Sequence, residues 1–474
     1  GIYREGIYQK INSINPFLAQ NQSELAIVNL IYDSLIRPDG KGGYEYEIAK
    51  NIIPIEKGLG YEVELKNLYW SNGAKITSDD VITTFSIIKS YTSGELFNYF
   101  KDVKIEKIDN YKIKFILPTK DNLFLQKLSF VKIIPSKEWV KYPPSEWQNN
   151  EENIIKVSSG PFIFYKKYKI KNDINVFEFK RNEYYNPKPY LDKIIIYEYP
   201  DIKTAYEALK IKEIDGIGGL SFDYLDSVSK RSFKVEKIIL PRVIALFFNS
   251  KKVKEDIAKK LDLSLNRNEL VKEVFGDTAE PSYSIFSPSI KKLWNLKEEN
   301  LEVLQNTSTN PTNINFSEIT ITVPDNFYLL KIGNYLQKKF GFKIKSESSF
   351  NIINQIIPNK DFESLIFGIS YKLIPDLLSF FAKDSILHLT GIDSTEIIKK
   401  IQDFNSGDLN NFSKYLEEIE KNIKNKEPIV FIANNFYIYI LPKNLKGFDL
   451  KYLNEPSERF IKVENWYIYE KTIF

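Results

Sequence analysis

The sequence predicts an α/β protein with more than one hydrophobic core. Three observations carry this. The chain has 474 residues, 43% of them hydrophobic and 27% charged, enough for two or three cores. From 319 to 369, strand-like apolar runs alternate with helical patterns, which argues for parallel βαβ units and a sheet covered on both faces. Two long apolar strands, at 238–250 and 428–441, flank that region.

In chain order, residues 6–17 read as a short strand followed by an Asn15-Pro16 turn. Residues 23–35 read as a helix with Leu25, Val28, Ile31, Tyr32 and Leu35 on its apolar face. The glycine-rich turn at 40–43 lacks the pattern that cradles a phosphate. After a turn at 57–60, Tyr61, Val63 and Leu65 alternate with Glu62, Glu64 and Lys66, a half-buried strand. Trp70-Ser71-Asn72-Gly73 then turns the chain, and Trp70 reads as a core aromatic. Thr77, with Asp80 three residues on, is an acidic capping box for a helix that carries Val81, Phe85 and Ile88 on one face. A hairpin at 105–117 turns at Asp109-Asn110 and sets Ile113, Phe115 and Leu117 on one side. Residues 44–150 therefore form a sheet-and-helix insert, closed by the proline- and asparagine-rich stretch 142–152.

Asp201 caps a helix whose Ala205, Ala208 and Leu209 face inward. Residues 254–275 are helical in two pieces, the second opened by Asn266. Strands at 319–323, 342–346 and 362–369 alternate with helices at 326–340 and 351–357. Residues 394–404 and 412–424 are amphipathic helices.

Composition removes several function classes. The net charge of +4 comes from 66 basic and 62 acidic residues interleaved along the chain, which argues against a nucleic-acid footprint. The absence of cysteine excludes disulfides, thiolate metal sites and a cysteine nucleophile. The one histidine, His388, would have to serve any Ser/His/Asp triad and is expected to be a packed or surface residue. With 62 acidic residues, carboxylate pairs at hydrolase spacing arise by chance, so no enzyme and no cofactor are expected. No apolar run approaches the ~18 residues of a membrane span. The chain lacks methionine altogether, and a secretory signal or lipid-bearing segment is expected to have preceded Gly1.

Several short motifs follow one another: WSNGAKITSDDV at 70–81, SSGPF at 158–162, RNEYY at 181–185, KPYLDKI at 188–194, T-x₄-L with KEID at 204–215, and KNLKGF at 443–448. In this order they resemble the signatures of the family 5 extracellular solute-binding proteins, the oligopeptide- and dipeptide-binding components of ABC importers. The resemblance covers nearly the whole chain. It implies a two-lobe, periplasmic-binding-protein-like α/β fold of type II, in its large three-subdomain variety, with a hinge of two crossing strands. Lobe I would be 1–243 and 434–474, with the insert at about 44–150, and lobe II would be 244–433. A peptide or other small solute would be engulfed in the cleft and passed to ABC permease subunits. The protein would act as a monomer, outside the cytoplasm and anchored to a membrane. The same fold can also serve as a scaffold or chaperone-like surface protein, and that reading stays open.

One departure bears on the ligand. Many members carry W-x-x-D-Y-x-D-P, whose first Asp pairs with the peptide's α-ammonium group. Here the stretch reads ISYKLIPD, which sets Lys372 at that position unless a local shift brings Asp376 to it. A cation there would repel an α-amino group, so peptides with a free amino terminus are not the expected ligand. The expected ligand contacts are the turn residues Asn15 and Phe17, then Tyr371, Lys372 and Asp376, then Asn434 and Asn435. Members often place a Tyr near Ala433, and its absence suggests a different ligand shape.

Overall fold

The computed structural model describes residues 1–298 and 314–469. The chain divides into two compact units: Gly1–Ile238 with Tyr437–Phe474, and Ile239–Phe436.

The first unit is built on a seven-stranded sheet. Its order runs Phe233–Ile238, Tyr437–Pro442, Gly216–Gly218, Ile2–Ile7, Lys193–Glu198, Asn175–Arg181, Phe162–Lys169. Ile2–Ile7 lies parallel to its two neighbours, and the other pairings are antiparallel. The first strand thus ends where the sequence reading begins it. Residues beyond Ile7 spend their amides on carboxylates instead: Asn12 and Gln20 donate to Glu24 at 2.6 and 2.7 Å. Glu24 also completes a capping box with Asn21 on the helix Gln22–Ile31. That helix stops four residues short of Leu35. Gly160 lies against its end so closely that a Cβ there would sit 2.5 Å from the Ile31 carbonyl carbon.

The sheet also buries a charge. Glu5 is fully buried and accepts from Arg459 Nε at 2.7 Å, from the Tyr3 hydroxyl at 3.0 Å, and from the Tyr439 hydroxyl. Burial, with the Glu5 charge beside them, pushes both tyrosine hydroxyls well above their ordinary range.

Within the first unit, Ala49–Ile55, Gly60–Leu65, Lys112–Ile116 and Lys104–Asp109 form an antiparallel four-stranded sheet. The helix Ser78–Tyr91 closes a core with it that contains Val63, Trp70, Val81, Phe85, Ile113 and Phe115. Asp80 is the tie. Its carboxylate accepts Trp70 Nε1 at 3.0 Å, the Thr77 amide at 2.8 Å and the Ser136 amide at 2.9 Å. A turn, a helix start and a following segment are thereby fixed on one side chain.

The second unit holds a six-stranded sheet in the order Ala279–Pro281, Ile429–Asn435, Arg242–Phe248, Ser364–Ser370, Thr320–Pro324, Lys343–Glu347. Only Thr320–Pro324 with Lys343–Glu347 and with Ser364–Ser370 are parallel. The expectation of a parallel sheet holds for that half alone. Arg242–Phe248 and Ile429–Asn435 are antiparallel because the chain enters and leaves this unit at the same end of the sheet. Asn266 and Asn326 cap the helices Arg267–Phe275 and Phe327–Phe340, each accepting an amide of the first turn. The helices Thr395–Ser406 and Phe412–Lys426 bury Ile397, Ile401 and Phe404, and Leu416, Ile419 and Ile423.

Neither long apolar run is one strand. The first breaks at 239–241, where Pro241 has no amide to give a ladder and the Arg242 amide turns back to Leu240 O at 2.9 Å. The second breaks at Phe436, whose amide leaves the ladder for Thr278 O. The two crossings run side by side. Asn434 Nδ2 donates to Leu240 O at 3.1 Å, and the Arg242 guanidinium holds Asn435 O at 3.0 and 2.9 Å.

Candidate functional site

In the first unit the Asn15 turn is built from buried polar groups. The Asn15 side-chain oxygen accepts the Phe17 amide at 2.8 Å, and its carbonyl accepts the amides of Leu18 and Ala19. Its own amide is shared between Ser13 Oγ and Glu151. Asn15 is wholly buried, and its Nδ2 finds no partner among the described residues. Phe17 does not stand free. Its ring stacks on Trp147 at 5.7 Å and meets Trp139 edge-on at 5.3 Å. Aromatic packing against the insert holds this half-buried ring in place. Glu151, which accepts the Ser13 hydroxyl and the amides of Ile14 and Asn15, went unread in the sequence. Nothing in its local pattern marks it.

In the second unit the strand Ser364–Ser370 leads into the expected 371–376 segment. Tyr371 is fully buried, its hydroxyl donates to Ile285 O at 2.8 Å, and its ring meets Phe286 and Trp294. Burial pushes its hydroxyl well above the ordinary range. Its amide is bound to Pro241 O. Tyr371 thus serves the framework of this unit. Asn434 is buried as well: Nδ2 donates to Leu240 O and Ser287 Oγ, while Oδ1 has no partner among the described residues. Asn435 is half-buried, with its carbonyl on Arg242. Lys372 and Asp376 are half-buried, and the Asp376 carboxylate caps a short turn by accepting the Leu373 amide at 2.9 Å.

Tyr371, Asn434 and Asn435 thus converge on the crossing segment 240–242, whereas Lys372 and Asp376 lie just beyond it. Arg242, which pins that segment, was missed by sequence reasoning, although a lone arginine inside an apolar run is a readable signal. His388 is buried with its Nε2 unpartnered among the described residues, and burial with nearby Lys360 holds its pKa below the ordinary value. No helix among the described residues is long and apolar enough to cross a membrane.

Comparison with known proteins agrees with this architecture. Residues 44–367 match the bacterial extracellular solute-binding proteins, family 5, in that family's middle region. The chain is 25% identical over 495 residues to the oligopeptide-binding protein AppA of Bacillus subtilis (strain 168), covering 96% of this chain and 89% of AppA. The ABC transporter substrate-binding protein CtaP of Listeria monocytogenes shares the fold with a TM-score of 0.81 at 19% identity, over 99% of each chain. The structure of Bacillus subtilis AppA in complex with a nonapeptide does so with a TM-score of 0.73 at 22% identity, over 99% of each. The fold is the periplasmic-binding-protein-like α/β fold of type II. With the family matched across most of its length, the chain belongs to the family 5 bacterial extracellular solute-binding proteins.

Proposed function

We propose that this protein is the extracytoplasmic binding component of an ABC importer, and that it captures a peptide or peptide-like solute for a membrane permease. The observation that carries the reading is its relation to AppA, an oligopeptide-binding protein by name, along 96% of the chain. The family's extracellular character supports an extracytoplasmic location, and attachment to a membrane by a preceding segment is part of the same proposal.

The ligand contacts proposed for this chain are the Asn15 turn on the first unit and Lys372, Asp376 and Asn435 on the second. Tyr371 and Asn434 act behind them as supports. What supports the second set is the alternation along the strand. Ile369 and Tyr371 are buried, while Gly368 and Ser370 are exposed and Lys372 is half-exposed. A Cβ at Gly368 would meet nothing within 4 Å. Small residues leave main chain accessible for strand-like pairing with an extended ligand, and a cation stands at the end of that stretch. Such an end favours an anion or a blocked amine over a free α-ammonium group.

Calorimetry with short peptide pools, native and N-acetylated, tests both claims. The acetylated pool is expected to bind at least as tightly, and Lys372→Ala is expected to narrow the difference. Clearly tighter binding of the native pool, lost in Asp376→Asn, would transfer the ammonium-binding role to Asp376. Failure of every pool to raise the melting temperature would remove the peptide reading and leave the scaffold reading in its place.

A further inference from the structure

The turn at Trp70–Gly73 and the motif carrying Tyr184 and Tyr185 have no part in the sites described so far, yet they meet. Gly73 adopts φ +86°, and a Cβ there would lie 3.0 Å from the Tyr184 hydroxyl. Tyr69 and Tyr184 face each other with ring centroids 6.5 Å apart. Beside this contact the first unit holds a cavity of about 220 Å³. Tyr46, Tyr69, Tyr184 and Tyr185 line its walls.

Its charged lining is Asp33, Glu47 and Glu464 with Arg37 and Lys66, so carboxylates outnumber cations. Arg37 is engaged three ways: Glu45 at 2.7 Å, Glu464 Oε1 at 2.8 Å and Glu47 at 3.6 Å. Lys66 donates to Tyr46 O at 3.2 Å. Those ion pairs account for one oxygen of Glu464 and leave the other. Glu464 is 3% exposed, and its Oε2 has no hydrogen-bond partner among the described residues. A buried carboxylate oxygen without a donor is costly and points to a missing one. Burial and the neighbouring Glu47 hold the Asp33 carboxyl well above the usual carboxylate range, while nearby Lys132 is held low by burial. What the floor lacks is a donor for Glu464 Oε2.

Carboxylate below and aromatic rings around form the environment that attracts an organic cation. A singly charged ammonium brings the missing donor and an apolar stem to lie along the rings. We propose that this cavity binds a small alkylammonium ion, with Glu464 Oε2 accepting from its nitrogen and the rings of Tyr69 and Tyr184 packing along its carbon chain. The site is independent of the peptide reading and can stand if that reading fails.

The test is calorimetric titration of the full chain with n-butylammonium chloride, with n-butanol and sodium chloride as controls. The expected result is saturable binding of the ammonium alone, with affinity lowered about tenfold in Tyr184→Ala and by more in Glu464→Gln. Glu464→Gln also removes a partner of Arg37 and could unfold the protein. Tyr184, half exposed at the rim, supplies the variant that keeps the fold intact. Three results would overturn the proposal: no saturable heat, equal binding of butanol, or affinity unchanged in Tyr184→Ala.

Discussion

Replacing Asp80 by alanine should destabilise the first unit far more than the loss of an ordinary helix cap. Three donors converge on this carboxylate, from Trp70 Nε1 and the amides of Thr77 and Ser136, all within 3.0 Å. Asp80 is 5% exposed and Trp70 2%, so water does not replace what is lost. A hydrogen bond to a charged acceptor contributes about 1.5–3 kcal/mol, and three of them give a gross loss of about 4.5–9 kcal/mol. Burying a carboxylate itself costs several kcal/mol, which the substitution returns. The net loss expected for Asp80→Ala is about 3–5 kcal/mol. Asp80→Asn keeps one acceptor oxygen and should lose about half of that. Asp201→Ala is the benchmark: Asp201 accepts the Thr204 amide at 2.7 Å at an exposed helix start, worth about 1 kcal/mol. Urea unfolding followed by tryptophan fluorescence suits the comparison, because Trp70, Trp139, Trp147 and Trp466 lie in the first unit and only Trp294 in the second. An Asp80→Ala loss no larger than that of Asp201→Ala would refute the reasoning.

Arg459→Met leaves Glu5 buried with only two tyrosine hydroxyls, and the same urea experiment should show a loss of about 3–5 kcal/mol, part of which Glu5→Gln restores in the double variant. In the second unit, burial raises the Glu427 carboxyl from 4.5 to about 6 against the opposing effect of the Ser394 and Thr390 hydroxyls. The folded protein therefore holds this proton more tightly than the unfolded chain. Stability is favoured below pH 4.5 and lost as pH rises through about 6, by about 2 kcal/mol. Thermal melts across that window should show a flatter profile for Glu427→Gln, and an unchanged profile would remove Glu427 as the source.

What the sequence made legible follows from the range of each interaction. Thr77 with Asp80, Asp201 and Asn266 were read as helix starts because a cap acts on amides two or three residues away, inside the window a reader scans. The strand at 60–65 and the hairpin about Asp109-Asn110 were read from alternation and turn chemistry. The apolar runs at 238–250 and 428–441 misled because hydrophobicity shows that a strand is buried and not which sheet buries it. Pro241 carried the only local sign of the break. Strand direction in the second unit was equally hidden, being set by where the chain enters and leaves. The first strand was placed late because the partners that let Glu5 be buried in it include Tyr439 and Arg459, the latter 454 residues away.

The site obeys the same division. Order along the chain brought Tyr371, Lys372 and Asp376 into one candidate group, but a strand sends successive side chains to opposite faces. At the end of the strand Ser370 is exposed and, beyond it, Lys372 is half-buried, while Tyr371 between them is buried with its hydroxyl on Ile285 O. The burial of Tyr371 is what favours Lys372 in the proposed contact set. Asn434 and Asn435 divide similarly: Asn434 is locked by Leu240 and Ser287, while Asn435 gives only its carbonyl to Arg242 and keeps its side chain half-exposed. Motif matching can align a position with its family counterpart. Which face that position serves is decided by the buried neighbour.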